Sequence, residues 1–200
     1  MGPQLSEGGP IMKKMIISAV AALGLMASAA LAEVTLTPAN PQPKGLKTGL
    51  SVTYAYPVDI KTLAQAKNAL ASAPEAGPPL SGLTYPDGGN LGKALTSKQV
   101  TSVAAAINGY IRFDEAGVYS LKFYTNDGLD MRIGGQRVGY ETDRTPCSST
   151  GNTKVNVPQA GWYDLTGLWF QRLSSSCLEM EWTTPSGKKG AVPNSVFGYK

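Results

Sequence analysis

Three groups of residues in this sequence have chemistry to offer beyond filling a core. The first is Asn126-Asp127-Gly128, an amide and a carboxylate side by side ahead of a glycine. Such a tripeptide can project hydrogen-bonding oxygens toward a ligand. It is equally good hairpin chemistry, because Asn, Asp and Gly tolerate positive φ and Asp-Gly is a leading two-residue turn. The second group is Cys147 and Cys177, the only cysteines in the chain. Two thiols without a histidine cannot complete a tetrahedral zinc site, so in an exported protein they are expected to join as one disulfide. The third is a set of aromatic residues in apolar runs. Trp182 alternates with Leu178 and Met180 and belongs to the core, whereas Trp169 has the opposite parity from Leu168 and Phe170 and is the candidate for an outward platform. Aromatic faces can stack on sugar rings, although they fill sandwich cores just as well.

Catalysis is argued against by what is missing. The chain has no histidine, which removes the commonest general base and metal ligand, and it contains no G-x-S-x-G elbow or phosphate loop. Paired carboxylates can hydrolyse glycosides across a cleft. Asp114-Glu115 reads more simply as a hairpin loop, and Glu179 with Glu181 as the solvated face of a strand. The formal net charge is +4, and leaving out Lys13, Lys14 and Glu7 lowers it by one. The remaining basic residues are scattered, with no stripe to follow a phosphate backbone, so no nucleic-acid partner is expected.

These residues need elements to hold them. Lys13-Lys14, the apolar run from Met15 to Ala27 and Ala30-Leu31-Ala32 have the three parts of a cleavable secretory signal, so residues 1–32 are set aside as an N-terminal extension and signal. Nothing after that cut is long and apolar enough to cross a bilayer. The product is expected to be secreted, either to the periplasm or to the cell surface. Residues 33–48, rich in Pro, Lys and Thr, read as an extended arm, and 49–200 as one domain. Gly49 to Tyr56 alternates as a strand with Leu50, Val52 and Tyr54 on one side. A short helix should follow, capped by Asp59 and running through Ala71. From Val100 the period becomes two, giving strands at Val103 to Phe113, Val118 to Thr125, Leu129 to Ile133, Lys154 to Val157, Trp162 to Phe170 and Cys177 to Trp182. Spacing of that kind belongs to an antiparallel sandwich or barrel.

The run from Asn108 to Gly135 resembles the core of the protective-antigen domain family: a G-x-I strand, then Ala116-Gly117-Val118-Tyr119, then Asn126-Asp127-Gly128 with Leu129, Met131 and Ile133. Later parts fit as Ala160-Gly161-Trp162-Tyr163, Leu178 to Trp182 and Val192-Pro193. This resemblance implies an all-β fold, an antiparallel two-sheet β-sandwich of jelly-roll type with one short early helix. It also implies a non-catalytic, lectin-like role toward a glycan of the cell envelope or its surroundings. Sugar-binding members use two consecutive aspartates that hold calcium, and that pair falls on Asn126 and Asp127, with Gly128 in the same loop. One carboxylate is thus an amide, Gly134 stands where the family has a further aspartate, and Gln171 to Ser176 offers neither Asn nor Asp. Calcium gains affinity from ligand charge, so no cofactor is required here, and calcium is the single one the resemblance brings. The alternative role is structural or adhesive, in a homo-oligomer or on a protein partner, with Pro38 to Lys47 adding as a strand to a neighbour.

Overall fold

Alternating runs become strands when each apolar row finds an opposing layer to face, and here two sheets supply it. The computed structural model describes residues 1–2, 33–88 and 92–200, so the expected signal segment lies outside the described residues. The strands run, in chain order, β1 Val34–Thr35, β2 Lys47–Thr48, β3 Ser51–Ala55, β4 Glu75–Ala76 and β5 Thr84–Tyr85. Helix α1, Leu63–Ser72, falls between β3 and β4. The long strands follow as β6 Val103–Phe113, β7 Gly117–Asn126, β8 Leu129–Ile133, β9 Gln136–Glu141, β10 Ser148–Val157, β11 Gly161–Gln171 and β12 Cys177–Thr183. Two short strands, β13 Lys189–Ala191 and β14 Phe197–Tyr199, close the series.

One sheet has the order β1-β10-β7-β12-β13, with β5 beside β12. The other runs β2-β14-β6-β11-β8-β9, with β3 on β6 and β4 on β3. Every described pairing is antiparallel except that of β1 with β10, which is parallel. The fold is therefore the expected two-sheet β-sandwich with one short helix. Inward rows such as Ile107, Ile111 and Phe113 of β6 meet Tyr119, Leu121 and Phe123 of β7 in one core. Leu129, Met131 and Ile133 point into it, as their alternation implied. Trp182 is there too, beside Phe113 and Tyr119.

One local expectation needs correction, and one gains a detail. Thr62, not Asp59, caps α1: its hydroxyl accepts from Gln65 N–H at 3.2 Å. Asp59 is drawn instead to Arg172 Nε at 2.8 Å and Lys61 Nζ at 3.1 Å. Residues 33–48 are extended, but Leu36 is buried and its N–H donates to Asn156 O, while Thr37 N–H donates to Gly134 O. The start of the arm is thus laid onto its own domain, with β1 as an edge strand paired to β10.

Helix α1 covers part of the outer face of the second sheet. Ala66 of α1, Ile60, Ala55 of β3, Ala104 of β6 and Phe170 of β11 form a second, smaller core. Small alanines on β3 and β6 let the helix come close. At this end β11 is consequently buried on both faces.

Candidate functional site

Asp127 and Gly128 connect β7 to β8, and those strands belong to different sheets. The tripeptide is therefore a crossing from one layer to the other, not the hairpin turn that its composition suggested. Its glycine is required for closeness: a Cβ on Gly128 would lie 2.3 Å from the Phe170 ring. The Asn126-Asp127 peptide bond is cis. Asp127 N–H donates to Phe170 O at 2.9 Å and Phe170 N–H donates to Gly128 O at 3.1 Å, which fastens the crossing to β11.

Asp127 is only 6 % exposed. Its Oδ2 accepts the Arg172 backbone N–H at 2.7 Å. Burial raises its pKa, against the lowering effects of the Arg172 backbone N–H, the Arg144 and Arg172 charges and the Thr145 backbone N–H. One carboxylate thus ties the crossing to loop 172–176, between β11 and β12, and faces loop 142–147, ahead of β10. The same loops meet at the disulfide of Cys147 and Cys177, whose Cα atoms are 5.8 Å apart. Gln171, fully buried, pins the second loop from below, its Nε2 donating to Leu173 O at 2.6 Å, Ser174 O at 3.1 Å and Ser175 O at 2.8 Å. Arg172 Nε reaches out to Asp59, whose pKa is lowered to about 2 by hydrogen bonds from Arg172 and Lys61.

Asn126 stands opposite Cys177 in the β7–β12 ladder. It is 7 % exposed, and its side-chain amide makes no hydrogen bond to another described residue. Trp169 is not an outward platform. It is fully buried in the main core, and its indole N–H has no partner among the described residues. Parity misled because α1 covers the face where Phe170 lies, so the opposite face of β11 is the inner one.

The residues present do not fit a calcium ion. Calcium takes 6 to 8 oxygens and is favoured by anionic ligands. Here one carboxylate has an oxygen engaged by a backbone N–H and stands near two arginines. Among the described residues no group of three or more His, Cys, Asp or Glu gathers at one point. The further aspartate of the family pattern is absent for a local reason: at Gly134 (φ 53°) a Cβ would come within 2.7 Å of both Thr37 N and Thr37 O. The arm occupies that place. Sequence reasoning missed Gln171, Arg144 and Arg172. A glutamine at an inward position of an apolar strand was the signal available for the first.

The role of Asp127 can be tested through two substitutions. Asp127→Ala leaves the Arg172 N–H without its acceptor and should cost about 1–3 kcal/mol, the usual penalty of an orphaned buried group. Asp127→Asn keeps an acceptor oxygen and removes the charge. Because burial raises the Asp127 pKa, this group favours folding most when protonated, and that contribution is lost as pH rises from the ordinary value of 3.8 through the higher folded one. The melting temperature of Asp127→Asn minus that of the parent should therefore increase as pH is taken from below 3.8 to neutral, followed by circular dichroism.

No family model and no curated protein sequence matches the chain. Solved structures do. The PA14 domain of the antifreeze protein MpAFP superposes with a TM-score of 0.61 at 14 % identity, covering 82 % of this chain and 96 % of that one. A PA14 sugar-binding domain from an RTX adhesin gives 0.57 at 15 %, covering 76 % and 99 %. The Epithelial Adhesin 9 A domain from Candida glabrata, in complex with Galβ1-4GlcNAc, gives 0.63 at 11 %, covering 84 % and 95 %. The chain shares the β-sandwich fold of these domains.

Proposed function

We propose that this chain is an exported, non-catalytic carbohydrate-binding domain of the protective-antigen type, recognising a cell-envelope or extracellular glycan at the Asn126 end of the sandwich without calcium. The observation that carries this reading is the construction of that end. Asp127 and Gln171 hold loop 172–176, and the disulfide joins it to loop 142–147, around Asn126, whose amide has no partner among the described residues. Rigid loops lose little freedom on binding, which favours a ligand that offers only hydroxyl groups. An amide both donates and accepts, and Arg144 is exposed nearby. Support also comes from the sugar-binding description of one structural neighbour and the bound disaccharide of another.

A glycan array probed in calcium and again in chelator tests the proposal. The expected result is a set of glycans retained equally in both buffers, with at least a tenfold loss of affinity in Asn126→Ala and an unchanged melting temperature. Retention of no glycan in either buffer overturns the reading. So does retention that needs calcium, or an Asn126→Ala variant that binds as the parent does.

A further inference from the structure

The outer face of the second sheet has a hollow that the loop end does not explain. Along one edge of β6 the neighbour changes. β3 pairs as far as Ser51 with Asn108, and β14 takes over where Gly198 meets Tyr110. Where one strand leaves and the next arrives, beyond the reach of α1, a cavity of about 460 Å³ opens over Ser51, Asn108, Tyr110, Asp164, Thr166 and Tyr199. A second cavity of about 340 Å³ adjoins it, walled by the Asn40 to Lys44 segment and sharing Tyr110 and Asp164. That wall is fixed: Gln42 Nε2 donates to Trp162 O at 3.0 Å and Gln42 Oε1 accepts from Trp162 N–H at 2.7 Å.

Ser51 Oγ donates to Asn108 O at 2.9 Å, but other groups lining the groove have no partner among the described residues. Asp164, exposed and directly across from Tyr110 in the β11–β6 ladder, has no ion pair and no side-chain hydrogen bond among the described residues. Asn108, across from Thr166, likewise has a free amide. The half-buried Tyr110 ring stacks on no other ring or cation among the described residues, and Lys47 lies over the ring of Tyr199, 5.6 Å from its centroid. The Tyr110–Asp164 and Asn108–Thr166 rows are separated by two residues, roughly 7 Å along the strands.

We propose that this groove is a second carbohydrate site, taking an internal stretch of a neutral polysaccharide across the sheet face. Apolar sugar faces would lie on Tyr110, while Asp164 and Asn108 engage vicinal hydroxyls, a carboxylate accepting only and an amide doing both. Open, extended cavities suit a chain passing through better than a chain end. Asp164 shares the groove with Lys200, which lines both cavities, and with Lys44 of the second, so the lining carries both signs of charge and suits a neutral polymer. Six residues of β11 separate Asp164 from Phe170, beside the Asn126 crossing, which is about 20 Å of strand. The two sites could then hold separate chains, and the groove stands or falls independently of the loop-end proposal.

Affinity electrophoresis of the full mature chain tests it, in native gels containing β-glucan, xylan, galactomannan or, as the acidic control, alginate. Expected is retardation by at least one neutral polymer, kept in Asn126→Ala, and weakened at least tenfold in Tyr110→Ala and measurably in Asp164→Asn. Asp164 is exposed and Tyr110 half-buried, so an unchanged melting temperature is expected for Asp164→Asn, and affinity per folded molecule is compared for Tyr110→Ala. The proposal is overturned if no neutral polymer retards the chain, if alginate alone does, or if Tyr110→Ala migrates as the parent. Loss in Asn126→Ala with retention in Tyr110→Ala would also overturn the groove while leaving the loop-end site standing.

Discussion

Trp169→Ala should melt on the order of 10 °C below the parent, the shift expected when a buried tryptophan is cut back at a cost of about 3–5 kcal/mol. Trp169 is 0 % exposed and pairs with Ala105 on one side and Leu129 on the other. Its ring therefore lies where β6, β11 and β8 face the opposite sheet, and removing it opens a void that strands pinned on both edges cannot close. Replacement by phenylalanine should cost much less than replacement by alanine, because the indole N–H has no partner among the described residues to lose. A surface platform would behave otherwise, with melting unchanged and ligand lost. Thermal unfolding, combined with affinity per folded molecule, separates the two.

The second large effect belongs to the disulfide. Replacing Cys147 and Cys177 together by serine releases a closed segment with a sequence separation of 30. In the chain-entropy model this costs roughly 3–4 kcal/mol through the unfolded state. Urea unfolding should show the midpoint falling accordingly. There is a functional consequence as well, since the bridge joins the bases of loops 142–147 and 172–176. Glycan affinity at the Asn126 end should drop more than the fraction folded does, while retardation through the Tyr110 groove should follow the folded fraction alone.

What could be read in the residues was what one buried face dictates. Strands β6 and β8 came out end to end, because strict alternation against a core fixes both register and length. β9 was missed, since a register shift between Met131 and Arg132 puts Val138 and Gly139 both inside and destroys the alternation. The first half of β10 carries no apolar row to announce it. Trp169 was misplaced for the converse reason: where α1 lies on β11, both faces are interior and parity no longer distinguishes them.

The candidate site was legible in its residue types and not in its architecture. Asn, Asp and Gly promise a turn whether the next strand returns to the same sheet or crosses to the other, and only pairing at long range decides. Asp127 and Asp59 show the same limit. Asp59 has the right chemistry for a helix cap, but an arginine 113 residues away claims it. The principal partner of Asp127 is the backbone N–H of Arg172, a group that every residue type except proline carries and that no sequence pattern marks.

The alanines beneath α1 set a limit on how far this domain could be pared down. Excising the stretch that carries the helix would not return a simpler sandwich, because Ala55, Ala104, Phe170 and the partly buried Leu168 would then face water as one greasy patch. Truncated protein would be prone to clump through that surface. A minimal version would have to be repainted there, with charged or hydroxylated side chains at 168 and 170, before it could remain dispersed.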